Sequence, residues 1–168
     1  RPIYEQFKKD FVSLVTQLKV GPPSEAVDLG AVISKEHRQK ILNYIEIAKK
    51  EGGVILTGGQ KVTVDRHPEG YYLQPTVIEV QDHLCRVNQE EIFGPVVTLM
   101  PFDHEKEVIE MANSVTYGLS ASLWTANLDR AMRFGQQLES GIVWVNTWLN
   151  RDLRTPFGGL KASGVGRE

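Results

Sequence analysis

Cys85 is the only thiol in the 168-residue chain, and a thiolate is the most direct nucleophile a sequence can offer. Its neighbours Leu84 and Arg86 supply no general base, so the sequence predicts an inert thiol. Glu90 and Glu91 are adjacent carboxylates. Side chains at i and i+1 point apart on a helix or a strand, so these two cannot share a proton as an acid/base pair. Taken alone they read as solvated charges. The histidines are His37, His67, His83 and His104; no HxxxH or CxxC spacing makes a metal-ligand set of them. The stretch FGGLKASGVG (157–166) is glycine-rich but lacks the GxxxxGK[ST] spacing of a phosphate loop. It also does not join a strand directly to a helix, as a dinucleotide fingerprint must. Its glycines therefore read as turn-makers needing positive φ. Just before it stand Arg151 and Arg154. A guanidinium can grip a carboxylate through two parallel hydrogen bonds. The alternative is that both are surface arginines paired with Asp152 or solvent.

The elements that must position these residues are legible from periodicity. Ile3, Phe7, Phe11, Leu14, Val15 and Leu18 form one apolar face of a helix over 2–19, with Pro2 in its first turn. Ser34 can cap a second helix carrying Ile41, Tyr44, Ile45 and Ala48, which ends at Gly52-Gly53. VILTGG (54–59) predicts a strand and turn, and residues 61–70 an excursion. Residues 71–80 read as a strand with Pro75 at an edge or bulge. Residues 82–95 read as short helical turns and loop. From residue 95 the order is strand, helix (capped by Asp103), strand (119–125), helix (127–140, with Ala131, Phe134 and Leu138 inward) and strand (141–146). The continuous apolar run GIVWVN suggests burial on both faces. Helix-length crossovers between strands predict an α/β, three-layer domain: a mainly parallel sheet covered by helices.

Composition narrows the partners. Hydrophobic residues are 41% and charged residues 24%, which is globular usage. A net charge of −2 gives no electrostatic reason to expect nucleic acid or an anionic membrane. No apolar run approaches the roughly 20 residues of a membrane span. RPIYEQFKKDF has no apolar signal-peptide core. One cysteine excludes a disulfide framework and suits a reducing compartment, so we expect a cytoplasmic protein. A first residue Arg1, and an end at Glu168 straight after the glycines, read as cuts through a longer protein.

EEIFGPV (90–96), NSVTYGLSASLWT (113–125), SGIVWVN (140–146) and PFGGLKASGVGRE (156–168) together resemble the NAD(P)-dependent aldehyde dehydrogenase superfamily, in the family's order. WLNRDLRTPFGG (148–159) is similar to its muconic-semialdehyde branch, the 2-aminomuconic and 2-hydroxymuconic semialdehyde dehydrogenases. The resemblance implies that residues 1–168 are most of a catalytic domain. The nucleophilic cysteine, the general-base glutamate, the oxyanion-hole asparagine, the Rossmann-type cofactor domain and the oligomerisation strand would lie outside it. No residue of this chain is then catalytic or metal-binding, and Cys85 does not inherit the nucleophile's role. The implied cofactor is NAD, with NADP open. The implied partners are a small aldehyde, the protein's own cofactor domain and further copies in a dimer or tetramer.

Residue by residue, Glu91 matches the carboxylate that accepts from the nicotinamide ribose hydroxyls. Phe93 matches the aromatic beside the nicotinamide ring, its alternative being core packing. Lys40 and His37 fall where the second helix approaches the adenosine half. Trp148, Arg151, Leu153 and Phe157 align around the aldehyde tunnel. Arg151 is the expected anchor for a substrate carboxylate, with Arg154 second. Two other readings stay open: a retinal or aliphatic aldehyde substrate with Arg151 in solvent, and a non-catalytic binding or assembly module of the same fold.

Overall fold

The computed structural model describes residues 1–168, which form two compact units, Arg1–Pro101 and Phe102–Glu168. The first unit runs α1 (Tyr4–Thr16), α2 (Lys35–Lys50), β1 (Val54–Thr57), β2 (Lys61–Val62), β3 (Tyr72–Leu73), β4 (Thr76–Glu79), α3 (Arg86–Gln89) and β5 (Val96–Leu99). Its main sheet has the order β1-β4-β5, with β4 parallel to β5 and antiparallel to β1. Val77 and Ile78 of the central strand are wholly buried. The expected single strand over 71–80 is in fact two. Pro75 has no N–H to give a ladder, and it separates β3, which pairs with β2, from β4 at the sheet's centre. It therefore marks a break between sheets rather than an edge or bulge.

Alternation along β4 makes this unit three layers deep. Ile78 and Val80 face α2 and join Ile41, Ile45, Ala48, Leu73, Cys85, Val87 and Ile92 in one core. Glu79 faces α1, accepting from Tyr4 Oη at 2.7 Å and Lys8 Nζ at 2.9 Å. These bonds, Lys8 first, hold the Glu79 carboxyl below its ordinary range. Burial, and then Glu79 itself, push the Tyr4 phenol up to about 12. Ser34 caps α2 as expected, its Oγ accepting from His37 N at 3.1 Å. The apolar face of α1 is real but not covered by this unit: Ile3, Phe7, Leu14 and Leu18 are exposed.

The second unit runs α4 (Glu105–Asn113), β6 (Tyr117–Gly118), β7 (Ser120–Leu123), α5 (Leu128–Gln137), β8 (Ile142–Val145) and β9 (Leu160–Lys161). β7 and β8 pair in parallel across the α5 crossover, as the strand–helix–strand order predicts. The cap of α4 differs from expectation. His104, not Asp103, is the N-cap residue, and Glu107 Oε2 reaches back to the backbone N–H groups of Asp103 (2.8 Å) and His104 (3.2 Å). Glu105 ties α4 to α5 through Arg130 Nε (2.6 Å) and Arg133 (2.7 Å). Phe134 is buried, while Ala131 and Leu138 are half-buried. β8 departs from its predicted two-sided burial: Trp144 is buried, Ile142 and Val143 are half-buried, and Val145 is exposed. An apolar run records the surface a strand can cover, and this unit covers only part of it.

The glycine-rich end folds back on the unit. β9 pairs antiparallel with β6, and Phe157 and Glu168 exchange both backbone bonds, at 3.2 and 2.9 Å. Gly164 and Gly166 adopt φ of 149° and 86°, the turn-making role the sequence predicts. Gly141 is needed for a different reason: a Cβ there would sit 1.7 Å from the Gly158 carbonyl oxygen. Gly141→Ala is expected to destabilise the protein by about 1–3 kcal/mol through this overpacking, read from the urea midpoint. An unchanged midpoint would show that the loop can yield.

Candidate functional site

The first candidate surface lies on α2. His37, Lys40 and Tyr44 are spaced three and four residues apart, which puts them on one helix face. All three reach the segment 90–93. His37 Nε2 lies 2.6 Å from the Phe93 carbonyl oxygen, and the two rings meet edge-on at 5.9 Å. Lys40 Nζ donates to the Glu91 carbonyl at 3.0 Å, and Tyr44 Oη donates to Glu90 Oε2 at 2.7 Å. The four residues singled out for the cofactor, His37, Lys40, Glu91 and Phe93, are thus brought together. The polar ends of His37 and Lys40 are directed to loop carbonyls.

Ile92 turns into the core, so its neighbours Glu91 and Phe93 turn outward. Phe93 is 73% exposed and lies outside this unit's core. Its φ is +58°, a region that costs a bulky residue on the order of 1–3 kcal/mol. Gly94 lets the segment lie close on α2, because a Cβ there would come within 2.5 Å of Ile41 Cδ1. The Glu91 carboxylate makes no ion pair or hydrogen bond, and is presented to the outside.

Glu90 is a residue the sequence reading undervalued. It is not simply solvated: Arg86 grips it bidentately, Nε to Oε1 at 2.7 Å and a terminal nitrogen to Oε2 at 2.9 Å. Arg86, then Tyr44, hold its carboxyl down to about 2. The i,i+4 spacing of Arg86 and Glu90 was the signal that could have found this pair. Cys85 is buried in the core, and burial pushes its thiol up, in keeping with an inert side chain.

The second candidate surface belongs to the second unit. An open cleft of about 830 Å³ is lined by Ile142, Val143, Trp144, Asn150, Arg151 and Phe157, among others. Trp144 Nε1 donates to the Asn150 carbonyl at 2.9 Å and anchors the loop. Trp148 packs edge-on against Trp144 at 4.9 Å, beside the cleft rather than in its lining. The Arg151 guanidinium lies 4.2 Å from the Phe157 ring centroid, a cation–π contact, and has no carboxylate partner. Asp152 is taken by Arg154, whose Nε donates to both its oxygens at 2.9 and 3.1 Å. That pairing holds the Asp152 carboxyl below its usual range. Leu153 lines the cleft's rim and is 93% exposed. Of the two arginines, Arg151 is the one with its charge free.

The molecule is therefore a layered α/β protein that displays two loop-built surfaces, one on each unit. The profile of the Aldehyde dehydrogenase family matches residues 1–168, and the chain belongs to that family. It is 49% identical over 173 residues to 2-aminomuconic semialdehyde dehydrogenase of Bos taurus, covering 100% of this chain and 35% of the relative. It is 44% identical over 170 residues to 2-hydroxymuconic semialdehyde dehydrogenase of Pseudomonas sp. (strain CF600), with the same two coverages. The solved structure of betaine aldehyde dehydrogenase from Staphylococcus aureus in complex with NAD+ superposes with a TM-score of 0.93 at 38% identity, covering 99% of this chain and 33% of that one. The chain spans about a third of the length of the curated relatives it matches. The muconic-semialdehyde resemblance carried by WLNRDLRTPFGG agrees with these relatives.

Proposed function

We propose that this chain is part of the catalytic domain of an NAD-dependent aldehyde dehydrogenase that oxidises a carboxylate-bearing semialdehyde, such as 2-aminomuconic semialdehyde, to the acid. This reading leaves NADP open as the alternative cofactor. The family membership and the muconic-semialdehyde relatives support the reaction class. The outward Glu91 carboxylate and exposed Phe93 ring fit a nicotinamide nucleoside: the first can accept from two vicinal hydroxyls, the second can wall a flat ring. NAD, when bound, accepts the hydride. This chain's part is to bind and orient. Lys40 and His37 brace the loop that carries Glu91 and Phe93, and the Lys40 ammonium, with three N–H donors, keeps spare donor capacity towards a cofactor. Arg151 would fix the substrate's far carboxylate, with Arg154 second because Asp152 already holds it, and Trp148, Leu153 and Phe157 would shape the entrance. A cytoplasmic homo-oligomer, dimer or tetramer, completes the proposal. It is supported by the single thiol and by the family resemblance alone.

The observation that carries the substrate reading is Arg151, a guanidinium on an aromatic ring beside a cleft, with no anion of its own. Its test is a crystal structure of the intact protein with an unreactive dicarboxylate product. One carboxylate is expected within hydrogen-bond reach of Arg151. A carboxylate bound elsewhere, with Arg151 still on Phe157, would overturn the assignment.

A further inference from the structure

Outward-facing side chains can only be held through the groups beside them. Residues 90–93 are tied to α2 at three places: His37 on the Phe93 carbonyl, Lys40 on the Glu91 carbonyl and Tyr44 on the Glu90 carboxylate. The third tie is the only one made through a loop side chain, and it is doubled by Arg86 from α3. Arg86 is itself set by its backbone N–H, which donates to Glu51 Oε2 at 2.9 Å, just beyond the end of α2. The cations of Arg86 and Lys40 also lie 5.8 and 5.7 Å from the centroid of the Tyr44 ring. Glu90 is thus the joint at which α2, α3 and the loop meet, one residue from the Glu91 carboxylate.

We propose that Glu90, gripped by Arg86 and Tyr44, is a positioning residue that sets the Glu91 carboxylate and the Phe93 ring for cofactor binding. The inference rests on the cofactor reading of Glu91 and Phe93 given above. Three donors converge on Glu90: Arg86 Nε, a terminal Arg86 nitrogen and Tyr44 Oη. Only an ionised carboxylate answers all three, since a glutamine amide has a single acceptor oxygen. The Arg86–Glu90 pair is half open to solvent, with side-chain exposures of 51% and 40%, so its loss should cost the fold little. The cost should appear locally. Phe93 is held at an unfavourable φ of +58°, and a loop released at Glu90 can relax that strain and carry the ring away.

The test uses the intact protein and the variants Glu90→Gln, Tyr44→Phe, Arg86→Lys and Arg86→Ala, with Glu91→Gln and Phe93→Ala as references. Glu90→Gln is expected to raise KM for NAD about fivefold or more, with kcat and the aldehyde KM within about twofold. Tyr44→Phe should give a smaller rise, and Arg86→Lys should retain more NAD affinity than Arg86→Ala. Thermal midpoints should stay close to the parent's. An unchanged NAD KM in Glu90→Gln, beside a raised one in Glu91→Gln, overturns the positioning role and leaves the cofactor reading standing. A Glu90→Gln protein that loses kcat, both KM values and thermal stability together also overturns it, in favour of plain structural support. If neither Glu91→Gln nor Phe93→Ala alters NAD binding, the cofactor reading itself fails, and this inference with it.

Discussion

Assayed by itself with NAD or NADP and any aldehyde, the 168-residue chain is expected to show no dehydrogenase activity. The chemistry proposed for the parent needs a thiolate, a base and donors to an oxyanion. The chain has one thiol, Cys85, and it is packed among Ile45, Ile78, Val87 and other core side chains. Burial raises its pKa, the wrong direction for a nucleophile. The negative charges of Glu51 and Asp82 also raise it. The measurement is NADH absorbance with a purified sample of residues 1–168. Clear turnover would mean that Cys85, or another group here, is catalytic after all.

Arg151→Ala in the intact protein is expected to raise KM for a carboxylate-bearing semialdehyde tenfold or more, about 1.4 kcal/mol. A charge-assisted, bidentate bond to a carboxylate is worth at least that. The fold should be nearly indifferent. Removing Arg151 strands no buried partner and deletes one exposed cation–π contact with Phe157, worth about 0.5–1 kcal/mol. The effect should fall on carboxylated substrates and spare uncharged ones. Arg151→Lys should be intermediate, because it keeps the charge but loses the fork. A carboxylated substrate whose KM is the same in Arg151→Ala and the parent would remove Arg151 from the site.

What the sequence showed, and what it hid, follows from the range of each interaction. α2 was legible because its signals are local: a Ser34 cap, a 3.6-residue apolar period and glycines at its end. The parallel β7–α5–β8 unit was legible for the same reason. Pro75 was read correctly as a disturbance, but whether it bends one strand or divides two depends on partners at β2, β1 and β5. The α4 cap moved by one residue because Glu107 reaches back to both candidate positions. The apolar stripes of α1 and β8 announced buried faces that the chain leaves open, since periodicity does not say what covers a face.

The same division runs through the candidate site. The spacing of His37, Lys40 and Tyr44 is visible in the sequence, yet their contacts lie 56, 51 and 46 residues away. Only the family resemblance groups His37 and Lys40 with Glu91 and Phe93 as cofactor residues; Tyr44 packs against the core, as its apolar spacing predicts, and its hydroxyl also reaches Glu90. Glu90 was set aside because adjacent carboxylates diverge. That divergence is real, and it is what sends Glu90 to Arg86 and leaves Glu91 facing outward. The family resemblance already ranks Arg151 before Arg154 for the carboxylate; what it does not show is the local pairing, in which Asp152 closes on Arg154.

Arg151 is proposed to select a substrate by its distal carboxylate. The most direct test compares kcat/KM of the intact protein for one carboxylated semialdehyde and for its methyl ester, with NAD saturating. The acid is predicted to be preferred by about tenfold or more, with the preference lost in Arg151→Ala. Equal efficiency for acid and ester in the parent protein would contradict the account.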